Sequence, residues 1–181
     1  MVCDTNLFLS QLDVFWLMIN NAGWSVVIPN SVITELSGLS RNPNPVGRDA
    51  ARALDAIKSA IEEKKDVAIV TSKGSIVTNQ GLFYKEQLEN YEVEGRRTLD
   101  DVIIDITKQQ AELKRAKRSS LEASLEPPIN DKAKPAVLLT EDRAMRVKAS
   151  AHGVAAVAAS MVRRVIAPRR KRDSEKDSNL Q

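Results

Sequence analysis

Short apolar runs alternate along this chain with longer segments of helical period, and that alternation restricts the fold more than any other feature. Val2-Cys3, Trp24-Ser25-Val26-Val27-Ile28, Val67-Ala68-Ile69-Val70, Ala136-Val137-Leu138-Leu139-Thr140 and Val154-Ala155-Ala156-Val157 read as strands. Between them, residues 6–21 carry Leu7, Leu9, Leu12, Phe15, Trp16 and Ile19 on one helical face. Asn30 or Ser31 is expected to cap a helix with Val32, Ile33, Leu36 and Leu39 turned inward. Arg48 to Lys65 repeats the pattern with Ala51, Leu54, Ile57 and Ile61. Thr98 caps a helix running through Val102, Ile103 and Ile106 to about Lys117, with Asp101 as the reciprocal acid of a capping box. Glu141-Asp142 open another through Met145, Val147 and Ala151, closed at Gly153, and Ser160 to Ile166 is a last helix. Strands alternating with helices predict an α/β fold of three layers, a mainly parallel sheet flanked by helices.

The punctuation is equally plain. Arg41 to Gly47, with Pro43 and Pro45, reads as a loop, residues 75–97 as a surface excursion and residues 118–135 as a mobile insertion. From Pro168 the chain is charged and expected to be disordered, which gives a domain over 1–167 and a tail over 168–181. The net charge of +3 sits mostly at the C-terminal end of the chain. Residues 163–181 hold seven Lys/Arg against three Asp/Glu, so residues 1–162 carry −1, and overall charge is no argument for a nucleic-acid partner.

No apolar run approaches the roughly 20 residues of a membrane span, and no leader precedes Asp4, so no membrane partner and an intracellular compartment are expected. One cysteine (Cys3) excludes an internal disulfide, and with one histidine (His152) it excludes a usual zinc site. Trp16 and Trp24 sit inside apolar periods, which favours packing over base stacking.

The candidate chemistry lies in the acids. Asp4 ends the first strand and Asp142 follows the fourth, at the edge where open α/β sheets place their ligands. Glu35 lies a turn inside the helix after the second strand, and Asp101 lies in the first turn of its own. Carboxylates converging on one edge repel unless a cation sits among them, and oxygen donors without His or Cys favour Mg²⁺ or Mn²⁺. Such ions suit phosphodiester hydrolysis. A glycine-rich phosphate loop ending in Lys is absent, which argues against nucleoside triphosphate hydrolysis. Asp4-Thr5-Asn6 lacks the second Asp of a phosphoaspartyl phosphatase, and His152 has no sign of a nucleophile beside it.

Asp4-Thr5-Asn6, Asn30-Ser31-x-x-Thr34-Glu35-Leu36-x-x-Leu39, Leu99-Asp100-Asp101-x-Ile103-Ile104 and Leu139-Thr140-x-Asp142-Arg143 resemble, in that order, the acidic motifs of PIN domain endoribonucleases. Residues 137–149 and the Thr71-Ser72-Lys73-Gly74 segment are most similar to the PIN domain of the nonsense-mediated mRNA decay endonuclease of the telomerase-associated Est-like type. The resemblance implies that Asp4, Asp101 and Asp142 hold Mg²⁺ or Mn²⁺, that Glu35 supports them, and that single-stranded RNA is cut by metal-activated water. Asp101 is preferred to Asp100 on the pattern acid-x-apolar-apolar, and Asp142 to Glu141 because it stands two after Thr140. Only three residues precede Asp4, fewer than the resemblance implies, which reads as a fragment or unusual start of a longer protein.

Asn6 and Thr140 are candidates for supporting the acids. Lys73, Arg97, Arg143 and Arg146 are candidates for phosphate contacts. The basic clusters at Lys114–Arg118 and Arg169–Arg172 read as RNA contacts or nuclear import signals, so cytoplasm and nucleus are both expected. mRNA-decay or telomere-associated proteins are the expected protein partners. A competing reading is an adaptor that keeps the fold and binds RNA or decay factors without cutting. A flap-cutting DNA nuclease would need a helical arch that the sequence lacks.

Overall fold

All five strands occur, and every pairing between them is parallel, in the order β3-β2-β1-β4-β5. The computed structural model describes residues 1–21, 23–77, 98–122 and 136–166, with side chains described only to residue 113 in the third stretch. In chain order the elements are β1 (Val2–Cys3), α1 (Thr5–Ser10), α2 (Leu12–Ile19), β2 (Val26–Pro29), α3 (Asn30–Leu39) and α4 (Pro45–Glu62). They continue with β3 (Val67–Val70), α5 (Leu99–Glu122), β4 (Leu138–Leu139), α6 (Arg143–Ala151) and β5 (Ala156–Val157). A seventh helix, α7, covers residues 159–166. This is the α/β architecture that the alternation predicts.

The sheet interior explains the strand composition. Every residue of β1, β2 and β4 is buried, and the core joins them to Phe8, Phe15, Met18, Leu36, Ile57, Ile103 and Ile106 from the helices. A strand covered on both faces reads as a continuous apolar run rather than an alternating one. Phe8 and Phe15 meet at 5.4 Å with rings tilted by 59°. Trp16 and Trp24 pack against this core, as their periods predict.

Several boundaries differ from the sequence reading, each for a local reason. The first helix is two, broken at Gln11 (φ −139°, ψ 38°). The Ser10 hydroxyl donates back to the Asn6 carbonyl at 2.7 Å, a bond that bends helices. Arg163 of α7 also grips the break, donating to Gln11 Oε1 and pairing with Asp13 at 2.8 Å. Apolar period cannot register either contact. Asn30 and Ser31 do not cap α3; both lie inside it and are buried, and the capping position falls to Pro29.

Helix α4 begins at Pro45, inside the expected loop, because Asn44 accepts the Gly47 N–H at 2.8 Å and proline is well placed in a first turn. Helix α5 continues through residues 118–122, which takes those five out of the expected insertion. The remainder of the insertion (123–135), the excursion over 78–97 and the tail lie outside the described residues.

The end of α6 follows expectation. Gly153 takes φ +71°, its N–H bonds to Ser150 and the Val154 N–H reaches Ala149 O, a Schellman close. The same pattern ends α4 with Lys64 at φ 55°, where its N–H bonds to Ile61 O and the Lys65 N–H to Ala60 O.

Candidate active site

Chain order reverses at β1. The strands proceed outward from β1 through β2 to β3, then resume on its other side with β4. Such a switch opens a crevice at the carboxyl ends of the two strands beside it, and register decides what lines it. Cys3 pairs with Leu139, so Asp4 and Thr140 come next on their strands and stand side by side.

The Thr140 hydroxyl donates to Asp4 Oδ2, and its oxygen accepts the Asp142 backbone N–H at 3.0 Å. Asp4 Oδ1 accepts the Leu7 N–H at 2.9 Å, capping α1. Asp142 caps α6 in the same way, its Oδ1 accepting from Ala144 at 2.7 Å and from Met145 at 3.2 Å. Its Oδ2 has no hydrogen-bond partner among the described residues. Each cap uses one carboxylate oxygen; the second oxygen of Asp4 is held by Thr140, and that of Asp142 is left over.

Glu35 approaches from the other flank of β1, on α3. It accepts a hydrogen bond from the Thr5 hydroxyl, so the residue after Asp4 ties Glu35 to the end of β1, while Asp4 itself reaches the Asp142 backbone through Thr140. Burial pushes the Asp4 carboxyl above its ordinary range. Asp142 and Glu35 push it further, against the Thr140 hydroxyl and the Leu7 amide, which favour the charged form.

Asp101 lies in a different setting. Its Oδ1 is 2.7 Å from Lys148 Nζ on α6, and its Oδ2 accepts both the N–H and the hydroxyl of Thr98 at 2.8 Å. Lys148 also donates to Thr98 Oγ1 at 3.0 Å. Lys148 first, then the Thr98 amide, hold the Asp101 carboxyl down at about 2. The capping box exists as predicted and uses Oδ2, while Lys148 takes Oδ1. Asp100, in the same turn, is half-buried and has no side-chain partner among the described residues. Glu141, the alternative to Asp142, is committed elsewhere: its Oε1 accepts the Ala159 N–H at 2.7 Å and caps α7.

Asn6 is exposed, and among the described residues its side chain has no hydrogen-bond partner; its carbonyl accepts from Ser10. Lys73 and Arg143 are exposed at the carboxyl ends of β3 and β4. Arg146 is half-buried and donates to the Thr140 carbonyl at 2.8 Å, so it braces the turn that carries Asp142. Arg97 lies outside the described residues. His152 is exposed after α6, and Cys3 is buried with its thiol pushed up to about 12, which makes it inert.

The donor set fits a hard divalent cation in chemistry and charge: carboxylate oxygens only, one of them buried beside two other acids. The acids are strung along the sheet edge, with Asp4 between Glu35 and Asp142. Among the described residues no three His, Cys, Asp or Glu form a ready metal-binding group. Two contributors escaped sequence reading. Lys148 looks like a last-turn cation favoured by the helix dipole, and nothing in the sequence ties it to Asp101, 47 positions earlier. Thr5 looks like a helix-start residue.

Comparison with known proteins places these features in a family. A PIN domain family model matches residues 1–160. No curated protein matches the sequence. A solved domain of a functionally unknown protein from Methanocaldococcus jannaschii DSM 2661 is similar at 19% identity and a TM-score of 0.47, covering 87% of this chain and 89% of that one. Among the described residues no helix is long and apolar enough to cross a membrane.

Proposed function

The chain belongs to the PIN domain family, whose members are generally nucleases, and on that premise we propose that it is a divalent-metal-dependent endoribonuclease acting on single-stranded RNA. The observation that carries this reading is Asp4, buried at the end of the middle strand and tied through Thr140 to the Asp142 backbone, with Glu35 held beside it by Thr5. A buried carboxylate with two other acids beside it is relieved by a proton or by a cation, and Mg²⁺ or Mn²⁺ suits its oxygen donors.

Asp4 and Asp142 would hold the ion, with Glu35 completing the shell from α3. The acid from α5 would be Asp100, since the Asp101 carboxylate is already paired with the Lys148 ammonium, whereas Asp4 accepts only from the neutral Thr140 hydroxyl and Leu7 amide. When bound, the ion lowers the pKa of a water and neutralises charge on the phosphodiester. The chain's own residues do the rest. Thr140 fixes the Asp4 carboxylate and the Asp142 backbone together, Arg146 braces their turn, and Lys73 and Arg143 offer exposed cations to phosphates. Those contacts read backbone charge, so weak base preference is expected.

The motif likeness around residues 137–149 supports a role in mRNA surveillance, with decay factors as partners and cytoplasm or nucleus as the setting. The test is cleavage of unstructured RNA with Mn²⁺, comparing the chain with Asp142→Asn. Loss of cutting in the variant supports the reading, and equal activity overturns it.

The competing adaptor reading draws on one observation, the lack of a ready three-acid group among the described residues. A calorimetric Mn²⁺ titration separates the two, because an adaptor need bind no metal.

A further inference from the structure

We propose that Lys148 is a positioning residue that acts through Asp101 and Thr98: the three clasp the first turn of α5 to α6 and thereby set where Asp100 stands. The inference rests on the metal site proposed above. Its grounds are geometric. One ammonium makes two contacts, at 2.7 Å to Asp101 Oδ1 and 3.0 Å to Thr98 Oγ1. The Thr98 N–H and hydroxyl close the ring onto Asp101 Oδ2 at 2.8 Å each.

Lys148 and Asp142 sit on one short helix, so α6 carries an acid of the site at its start and the clasp at its other end. Asp100 and Asp101 are consecutive in one helical turn and point about 100° apart. Holding Asp101 therefore fixes the direction of Asp100. In metal sites, groups that orient a ligand typically matter about tenfold to a hundredfold in affinity.

The sign of the effect separates positioning from simple electrostatics. Removing a lysine near an acidic site should tighten cation binding if charge alone matters, whereas removing an aspartate should weaken it. If both residues position Asp100, removing either weakens binding.

The experiment measures Mn²⁺ affinity by electron paramagnetic resonance in the full chain. The variants are Lys148→Met, Asp101→Asn, the double variant, Asp100→Asn and Asp4→Asn, with melting temperature recorded for each. Titrations run well below every melting point, so that folding loss does not enter. The expected result is weaker binding by about tenfold for both Lys148→Met and Asp101→Asn. The double variant should be no worse than the weaker single, neither change should add to Asp100→Asn, and Lys148→Arg should restore part of the affinity. Tighter binding in Lys148→Met alongside weaker binding in Asp101→Asn would overturn the proposal and leave Lys148 a mere neighbouring charge. Failure of the underlying nuclease reading looks different: Asp4→Asn would then bind Mn²⁺ as well as the unaltered chain, or neither would bind.

Discussion

The hydroxyl of Thr140 is bonded to the carboxylate of Asp4 across 136 positions of sequence. Its oxygen also takes the Asp142 N–H at 3.0 Å, so one side chain holds both of the acids that flank the β1–β4 crevice. The junction exists because parallel register puts the residues after Cys3 and Leu139 next to each other.

Thr140→Val keeps shape and removes both bonds. It leaves a buried carboxylate and a backbone N–H each short of a partner, which costs about 1–3 kcal/mol. Urea unfolding should show that loss in metal-free protein, with Mn²⁺ affinity falling alongside. An unchanged midpoint would mean that the Thr140 bonds contribute nothing.

Two acids should give stability opposite slopes with pH. The Asp4 carboxyl is raised on folding, so its contribution is full below its unfolded value of 3.8 and is lost as pH rises through its folded value. Metal-free protein should therefore lose stability relative to Asp4→Asn as pH rises from 4 toward neutrality, and saturating Mn²⁺ should remove that difference. The Asp101 carboxyl is lowered to about 2, so its contribution is present above 3.8 and lost as pH falls toward 2. After allowance for screening at a partly exposed pair it is worth about 1 kcal/mol. Urea midpoints of the unaltered chain, Asp4→Asn and Asp101→Asn between pH 3 and 7 check both signs.

Gly47 and Gly38 should respond oppositely to alanine. A Cβ at Gly47 would come within 1.9 Å of the Asn42 carbonyl oxygen, and backbone must move to admit it. Gly47→Ala should destabilise by about 1–3 kcal/mol. At Gly38, on the exposed side of α3, a Cβ meets nothing within 4 Å, and Gly38→Ala should stabilise by about 0.5–1 kcal/mol. Thermal melts of both variants decide it.

Lys64 occupies the left-handed position that usually goes to glycine in a Schellman close. Lys64→Gly should raise stability by about 0.5–1 kcal/mol, since the strain removed exceeds the entropy added. A lower melting temperature in the variant would contradict that.

How far the sequence could be read follows from the range of each interaction. β3 matched to the residue, and the other strands and most of the helices could be located, because burial on both sheet faces or one helix face leaves a local period. The places of Asp4 after a strand, Glu35 a turn inside a helix and Asp142 at a helix start were legible because those features are local as well. The break at Gln11 was not, since Arg163 grips it from the far end of the chain. Nor was the commitment of Asp101: acid-x-apolar-apolar describes Asp101-Val102-Ile103-Ile104 correctly, yet the lysine that takes the carboxylate comes from another helix. Pro45 misled in the other direction, since proline ends a helix in its interior and begins one in its first turn.

The central claim is that Asp4 and Asp142 share one divalent cation at the carboxyl ends of β1 and β4. Crystals soaked in Mn²⁺ and measured for anomalous scattering test it most directly. A peak about 2.2 Å from an oxygen of each carboxylate is the predicted result. No peak between them, or one seated against Asp101 in place of Lys148, would contradict it.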